Sequence, residues 1–327
     1  MLGLIARRLV SAVPLVAGVL TLTFLLLEAA PGRPADLLLG DGPVPPEIRA
    51  RIEAAYGLDQ PAYVRYASWI GHTVRGDLGW SLSRGRKVRS VLADALPQTI
   101  RLAAGGLAIQ LLLGVLLGAL HVVRPGGVVD HGLGLTGLVL ASVPTFWLGL
   151  MAILLFAVAI PIFPPSSAHS IGADAMSLPA RAADALWHAA LPSLVLGLGS
   201  AAIVARFVRA GLMQALGEGF IRAARARGAA RTRLLVAHAL PAAAGPVITL
   251  AGLQLPVLVS GALVVEVVFG WPGMGRVTYD AVMAQDLPVV LAAVLLATIL
   301  VIAGNLLADV GLALVDPRLR LGRAASR

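Results

Sequence analysis

The chain has 327 residues, of which 58% are hydrophobic and 13% charged, and its mean hydropathy is +0.87. Soluble domains are about 45–50% apolar and about 25% charged, so a water-soluble enzyme of this size is excluded. The formal charge is +9, cysteine is absent, and Lys87 is the single lysine. Disulfides, thiolate metal sites and cysteine nucleophiles are therefore excluded. A phosphate-binding P-loop is excluded too, because it needs Gly-Lys-Ser/Thr and Lys87 lies in Arg-Gly-Arg-Lys-Val-Arg.

Six uncharged runs are long enough to span a bilayer, at 9–27, 102–120, 132–163, 189–205, 239–265 and 287–308. The first follows Arg7 and Arg8 and precedes Glu28, Pro31 and Arg33 without a small-residue cleavage site, so it reads as a retained anchor. Residues 31–97 read as an external helical segment. Pro45-Pro46-Glu47 starts a helix that stops at Gly57. A second helix over 61–74 puts Tyr63, Tyr66 and Trp69 on one face, where they either pack in an ordered cap or sit at the membrane interface. The five remaining runs form a five-helix transmembrane core over 98–316, with a cytoplasmic loop at 214–241 and a tail at 317–327.

Within the spans, Gly105, Gly106, Gly114 and Gly118, and then Gly132, Gly134 and Gly137, predict close helix packing. Pro144, Pro246 and Pro256 interrupt runs three and five, and broken backbone is tolerated only where it is buried or faces water. Run five, with Gln254 and Ser260, is the preferred lining of a pathway. Glu266 closes that run on the outer side, where it either shapes a gate or caps the helix at the water interface. Asp309, beside Asn305 near the inner end of run six, is a structural pairing candidate, since ionisable groups at membrane depth face the protein interior. Glu28 and Arg101, at outer helix ends, snorkel to water.

Arginine counting sets the orientation. With the N-terminus inside, fourteen arginines lie on inner segments and two, Arg181 and Arg276, on the short outer loops. This places both termini in the cytoplasm. The nine basic residues of 31–97 would lie outside, which long loops allow. Arginines between apolar runs point to a membrane protein and not to nucleic-acid binding.

The inner loop between runs four and five reads Phe220-Ile-Arg-Ala-Ala-Arg-Ala-Arg-Gly228 and continues to His238-Ala-Leu240-Pro241. Good helix formers from 218 to 227 predict a short helix stopped by Gly228. Phe220, Ala223, Ala224 and Arg227 share a face. Small Ala223 and Ala224 would let another protein approach, with Phe220 as the apolar anchor and arginines at the rim. Arg231 and Arg233 read as inner-face retention signals in contact with anionic lipid.

The spacing Arg222-Ala223-Ala224, Gly228 and Leu240-Pro241 resembles the EAA loop of permease subunits of ABC importers, with Arg222 and His238 as departures from its general pattern. Further segments resemble the B-type permease of dipeptide, oligopeptide and nickel importers: Ala30-Pro31-Gly32, Tyr56-Gly57-Leu58-Asp59-Gln60-Pro61, Arg75-Gly76-Asp77-Leu78-Gly79-Trp80-Ser81, Pro144-Thr145-Phe146-Trp147-Leu148-Gly149, the turn from Glu266 through Trp271-Pro272-Gly273 to Gly275, and Leu314-Val315-Asp316-Pro317-Arg318. They occur in order from about residue 1 to 320.

The resemblance implies an all-α integral membrane protein with the type I importer fold in a prokaryotic inner membrane. Its partners would be a second permease, two cytoplasmic ATPases carrying ATP and Mg, and an external substrate-binding protein. It implies no cofactor on this chain. Phe220, Arg222, Ala223, Ala224, Arg227, Gly228, Leu240 and Pro241 would form the ATPase-docking coupling segment. Glu266, Trp271, Pro272 and Gly273 would form a gate region.

Against an enzyme, the six histidines form no His-Glu-x-x-His pair and read as solvated at loop edges. No Gly-x-Ser-x-Gly nucleophile motif is present either. The rival is a stand-alone secondary transporter driven by an ion gradient. It would require inverted repeats and broken helices with charge at the midplane, whereas the two halves of the chain show no such repeat and the charge avoids the midplane.

Overall fold

The structure, a computed structural model, describes residues 2–29, 59–245, 247–248 and 262–315. Uncharged runs fold as helices because, without water, backbone groups can be satisfied only by one another. Run one becomes α1 (Leu2–Glu28). The predicted aromatic helix is α2 (Ala62–Val74). Tyr66 packs against Phe24, with ring centroids 4.9 Å apart, and its hydroxyl lies 2.6 Å from that of Thr21. Tyr66 of that face thus packs within the chain, whereas Tyr63 is 75% exposed. The expected start at Pro45 and stop at Gly57 lie outside the described residues.

The segment expected to be external is not wholly helical among its described residues. A two-stranded antiparallel ribbon, β1 (Trp80–Ser81) with β2 (Arg86–Lys87), follows α2. It leads directly into α3 (Val88–His121), so residues 88–97 belong to the long helix and not to the external cap. Gly79 (φ 82°) and Gly85 (φ 59°) make the bends at either end of the ribbon, in a conformation open to glycine at no steric cost.

Run three is broken. α4 (Val128–Ser142) and α5 (Thr145–Ile153) meet at an angle of 101°, the second continuing as a π-turn, Leu154–Ala159. The cause is Pro144. The residue before a proline is driven from helical to extended backbone, and Val143 has φ −78° and ψ 128°. Run four is longer than its uncharged stretch: α6 (Leu178–Leu216) extends through charged turns at both ends.

The loop helix is α7 (Gly219–Ala226). It is followed by a continuous helical stretch of α8 (Arg231–Arg233), a π-turn (Leu234–Ala239) and α9 (Leu240–Ala242). Residues 262–268 are helical, α10 is Met274–Met283, and α11 is Leu287–Val315.

Among the described residues four helices are long and apolar enough to cross a membrane, or up to five if the bent pair is one span. Most of run five lies outside the described residues, with Gln254, Pro256 and Ser260.

The chain forms two compact units, with boundaries inside α3 and α11. Of the described residues, the larger holds those within 100–271 and 301–315, the smaller those within 2–99 and 272–300. The core of the smaller unit includes Val88, Val91, Leu92, Met274, Val277 and Val289. Its ribbon is held by the fully buried Asp286, whose carboxylate accepts hydrogen bonds from Ser81 Oγ (2.7 Å), Ser83 N (2.9 Å) and Ser83 Oγ (2.7 Å). Glu28 pairs with Arg65 in this unit, so it is not simply solvated.

In the larger unit, the glycines of α3 lie against α6. A Cβ on Gly114 would fall 2.5 Å from Val204 Cβ, and one on Gly118 would fall 2.5 Å from Val208 Cβ and 2.8 Å from Ala205 O. From the other side, a Cβ on Gly197 would fall 2.6 Å from Gly106 O. Close packing of the second run is therefore as expected. In α4 only Gly137 makes such a contact, with Ala202 Cβ at 3.2 Å; Gly132 and Gly134 face open space.

Candidate coupling site and membrane-depth residues

α7 begins after Glu218 and ends in a Schellman motif, the two-bond closure that satisfies the last carbonyls of a helix. Gly228 N donates to Arg225 O at 2.9 Å and Ala229 N to Ala224 O at 3.2 Å. Gly228 itself has φ 84°. The predicted bounds and stop of this helix match the observed ones to within a residue. Its face does not match as written. Ile221 (0% exposed) and Ala224 (4%) point into a core with Val208, Leu212, Leu234 and Ala239. Ala224 is therefore unavailable to another protein. Phe220, at 47% exposure, stands outward with Arg222, Ala223, Arg225 and Arg227. The helix thus divides into a buried apolar edge and a broad basic face around one exposed phenyl ring, as an amphipathic surface helix does.

Leu240 is half-buried and Pro241 exposed. Pro241 lies inside the continuous helical stretch 231–242, two residues after the π-turn. The π-turn just before it widens the helix.

Arg231 hydrogen-bonds the carbonyl oxygens of Val122 and Val123, just past the end of α3. It thereby supplies a cation and donors to the unsatisfied carbonyls of a helix C-terminus. Arg233 is exposed.

Three polar residues were not singled out from the sequence: Asp130, Arg209 and His121. Asp130, 8% exposed in the first turn of α4, receives both guanidinium bonds of Arg209, from Nε at 3.0 Å and a terminal nitrogen at 2.8 Å. It also accepts from Gly126 N at 2.8 Å and lies 2.5 Å from His121 Nδ1. His121 is 6% exposed, so the solvated reading fails for it. The same holds for His188, which is 8% exposed and 2.9 Å from Asp184 O. The signal was available for Asp130, an isolated acid in an otherwise basic connection between two runs.

Elsewhere in the larger unit, Glu266 is 0% exposed. Its carboxyl group is thus enclosed within the unit at the end of run five. Trp271 is 2% exposed within the cluster containing Leu102, Leu191 and Phe269, and its backbone N–H donates to Glu266 O at 2.8 Å. Its indole is therefore a core element that anchors the turn. In the smaller unit Pro272 is exposed and Gly273 is buried. The side chain of Asp309 lies outside the described residues, as do Gln254 and Ser260. No cluster of three potential metal ligands occurs among the described residues.

Comparison with known proteins adds a family to this geometry. The family described as "Binding-protein-dependent transport system inner membrane component" matches residues 110–321, and its N-terminal counterpart matches residues 1–103. The oligopeptide transport system permease protein AppB of Bacillus subtilis (strain 168) is 34% identical over 320 residues, covering 98% of this chain and 99% of AppB. The dipeptide transport system permease protein DppB of Escherichia coli (strain K12) is 35% identical over 339 residues, with the same coverages. A solved inward-facing MetNI methionine ABC transporter chain overlaps 68% of this chain and 97% of its own length at 20% identity, with a TM-score of 0.49. With the two family regions matched in order and relatives aligned along the full length, the chain belongs to the inner membrane components of binding-protein-dependent transport systems and is a permease subunit of that family.

Proposed function

We propose that this chain is one half of the translocation path of an ATP-driven importer of peptides or similar small solutes, and that segment 214–241 couples it to a separate ATPase. In this reading six helices span the membrane with both termini in the cytoplasm. A second permease completes the path. An external binding protein delivers the substrate, and two cytoplasmic ATPases hold ATP and Mg.

The observation that carries this reading is the divided surface of α7. Burying Ile221 and Ala224 fixes the helix to its own unit. Phe220, Arg222, Ala223 and Arg227 are then left as an exposed patch. It is of the kind that anchors a protein partner, with one aromatic at the centre and guanidinium groups around it. Gly228 sets the exit direction, and the helical stretch from Arg231 to Ala242 carries load back toward the membrane. The gate region is assigned to the turn from Glu266 to Gly273, and pathway lining to Gln254 and Ser260. Peptide as the cargo rests on the names of the full-length relatives.

Reconstitution with the ATPase subunits, the second permease and the binding protein tests this reading. Phe220→Asp should leave this chain in the membrane while abolishing substrate-stimulated ATP hydrolysis. Undiminished stimulation would remove α7 as the docking element. Transport by the purified chain on an ion gradient, without ATPase subunits, would replace the whole reading by that of a secondary transporter.

A further inference from the structure

The coupling segment is gripped from both sides by one short connection, residues 121–130 between α3 and α4. Before α7 in sequence, Arg209 near the end of α6 makes its two-pronged contact with Asp130. After α7, Arg231 reaches Val122 and Val123. Between them Val122, 3% exposed, sits in the same apolar cluster as Ile221 and Ala224 of α7 and Leu234 and Ala239 of the π-turn. Three contacts of different chemistry thus converge on ten residues.

Asp130 is the centre of this arrangement. Its two oxygens face three groups from three chain segments: the guanidinium of Arg209 on α6, Gly126 N in the connection and His121 Nδ1 at the end of α3. Two parallel N–H···O bonds fix the relative angle of donor and acceptor as well as their distance. A carboxylate held in this way cannot follow one helix without moving the others. Such a discrete, fully satisfied network is the kind of element through which a displacement passes between packed helices.

We propose that Asp130, held by Arg209 and His121, is a positioning residue for energy coupling: it locks the 121–130 connection to α6 just ahead of the coupling segment, so that force received at α7 moves α3 and α4 together with α6. This rests on the proposed docking role of α7. It adds that the load divides onto a second pair of helices, which the docking face alone does not require. The effect of the clamp appears in the ratio of ATP hydrolysed to solute imported.

The test measures that ratio in the complete reconstituted complex, at matched amounts of this chain. Asp130→Asn keeps the size of the side chain and removes its charge. It should raise the ATP consumed per solute imported by at least about fivefold, the lower range of coupling factors between linked sites, while ATPase subunits still bind. Arg231→Ala, at an exposed position, should raise the ratio by a smaller factor and does not threaten folding. The exchanged pair Asp130→Arg with Arg209→Asp should recover part of the loss seen in either single variant.

A merely structural clamp would lower the amount of protein in the membrane and leave the ratio unchanged. An unchanged ratio in both Asp130→Asn and Arg231→Ala, with Phe220→Asp still abolishing stimulation, would overturn this inference and leave the docking reading standing. Undiminished stimulation in Phe220→Asp would remove the docking reading itself. If Asp130→Asn does not accumulate, Arg231→Ala alone decides, with a raised ratio supporting the clamp and an unchanged one refuting it.

Discussion

Two contacts of α6 within the larger unit solve the same problem by opposite means. Along its apolar length α6 meets α3 through missing side chains: Gly106, Gly114 and Gly118 let the backbones approach until no methyl group fits. At its end α6 meets α4 through a charged network, Arg209 on Asp130. The difference follows from the surroundings. Where the neighbour is apolar, shape is the only source of specificity, and small residues supply it. Where water is within reach, a bidentate ion pair fixes orientation at a desolvation cost that a pair deep in the span could not offset. The seam joins helices by shape, and the network joins them by directed charge.

The comparison is broken most severely at the seam. Gly114→Leu would drive a side chain into Val204 and toward Ala201 O, 3.2 Å from the added Cβ. Overpacking of this kind costs about 1–3 kcal/mol or more, and here Val204 Cβ, 2.5 Å from the added carbon and bonded directly to the backbone, sets the limit. Monodisperse protein recovered in detergent should fall sharply, measured by size-exclusion chromatography; wild-type recovery would show that the helices are not in register as described.

Next comes Gly228→Val. There is open space around Gly228, so the penalty comes from its left-handed backbone alone. A side chain in that conformation costs about 1–2 kcal/mol. Protein level should stay near wild type while substrate-stimulated ATP hydrolysis is lost, because the exit angle of α7 changes. Retained stimulation at wild-type level would show that the glycine is dispensable.

The smallest effect is expected at Gly134→Ala. Nothing lies within 4 Å of the added carbon, and alanine is the better helix former by about 1 kcal/mol. Thermal stability should be unchanged or slightly raised. A clear loss would place an unobserved partner against that face of α4.

How far these features could be read from the sequence depends on whether their causes are local. The end of α7 was legible because Gly228 closes a Schellman motif within six residues. The glycine seam was legible because spacings of four write a helix face directly into the chain. The break in run three was legible only in part: Pro144 marked an interruption, but its 101° angle depends on what the two halves pack against.

The direction of Ala224 was not legible. Ala223 and Ala224 differ by one residue, and only the position of the cluster around Val208 and Leu234 decides which of them is buried. Asp130, His121 and Arg209 meet through the packing of three helices, so no spacing rule reveals them. The ribbon at 80–87 escaped for a similar reason, since it is anchored by Asp286 from the far end of the sequence.

The chain contains no cysteine, so a single introduced thiol reports on one position. The most direct test of the account is maleimide labelling of Ala223→Cys and Ala224→Cys in membranes, with and without the ATPase subunits. Ala223→Cys should label readily in the permease alone and become protected when the ATPase binds, while Ala224→Cys should stay unlabelled throughout. Equal labelling of Ala223→Cys with and without bound ATPase would contradict docking at α7.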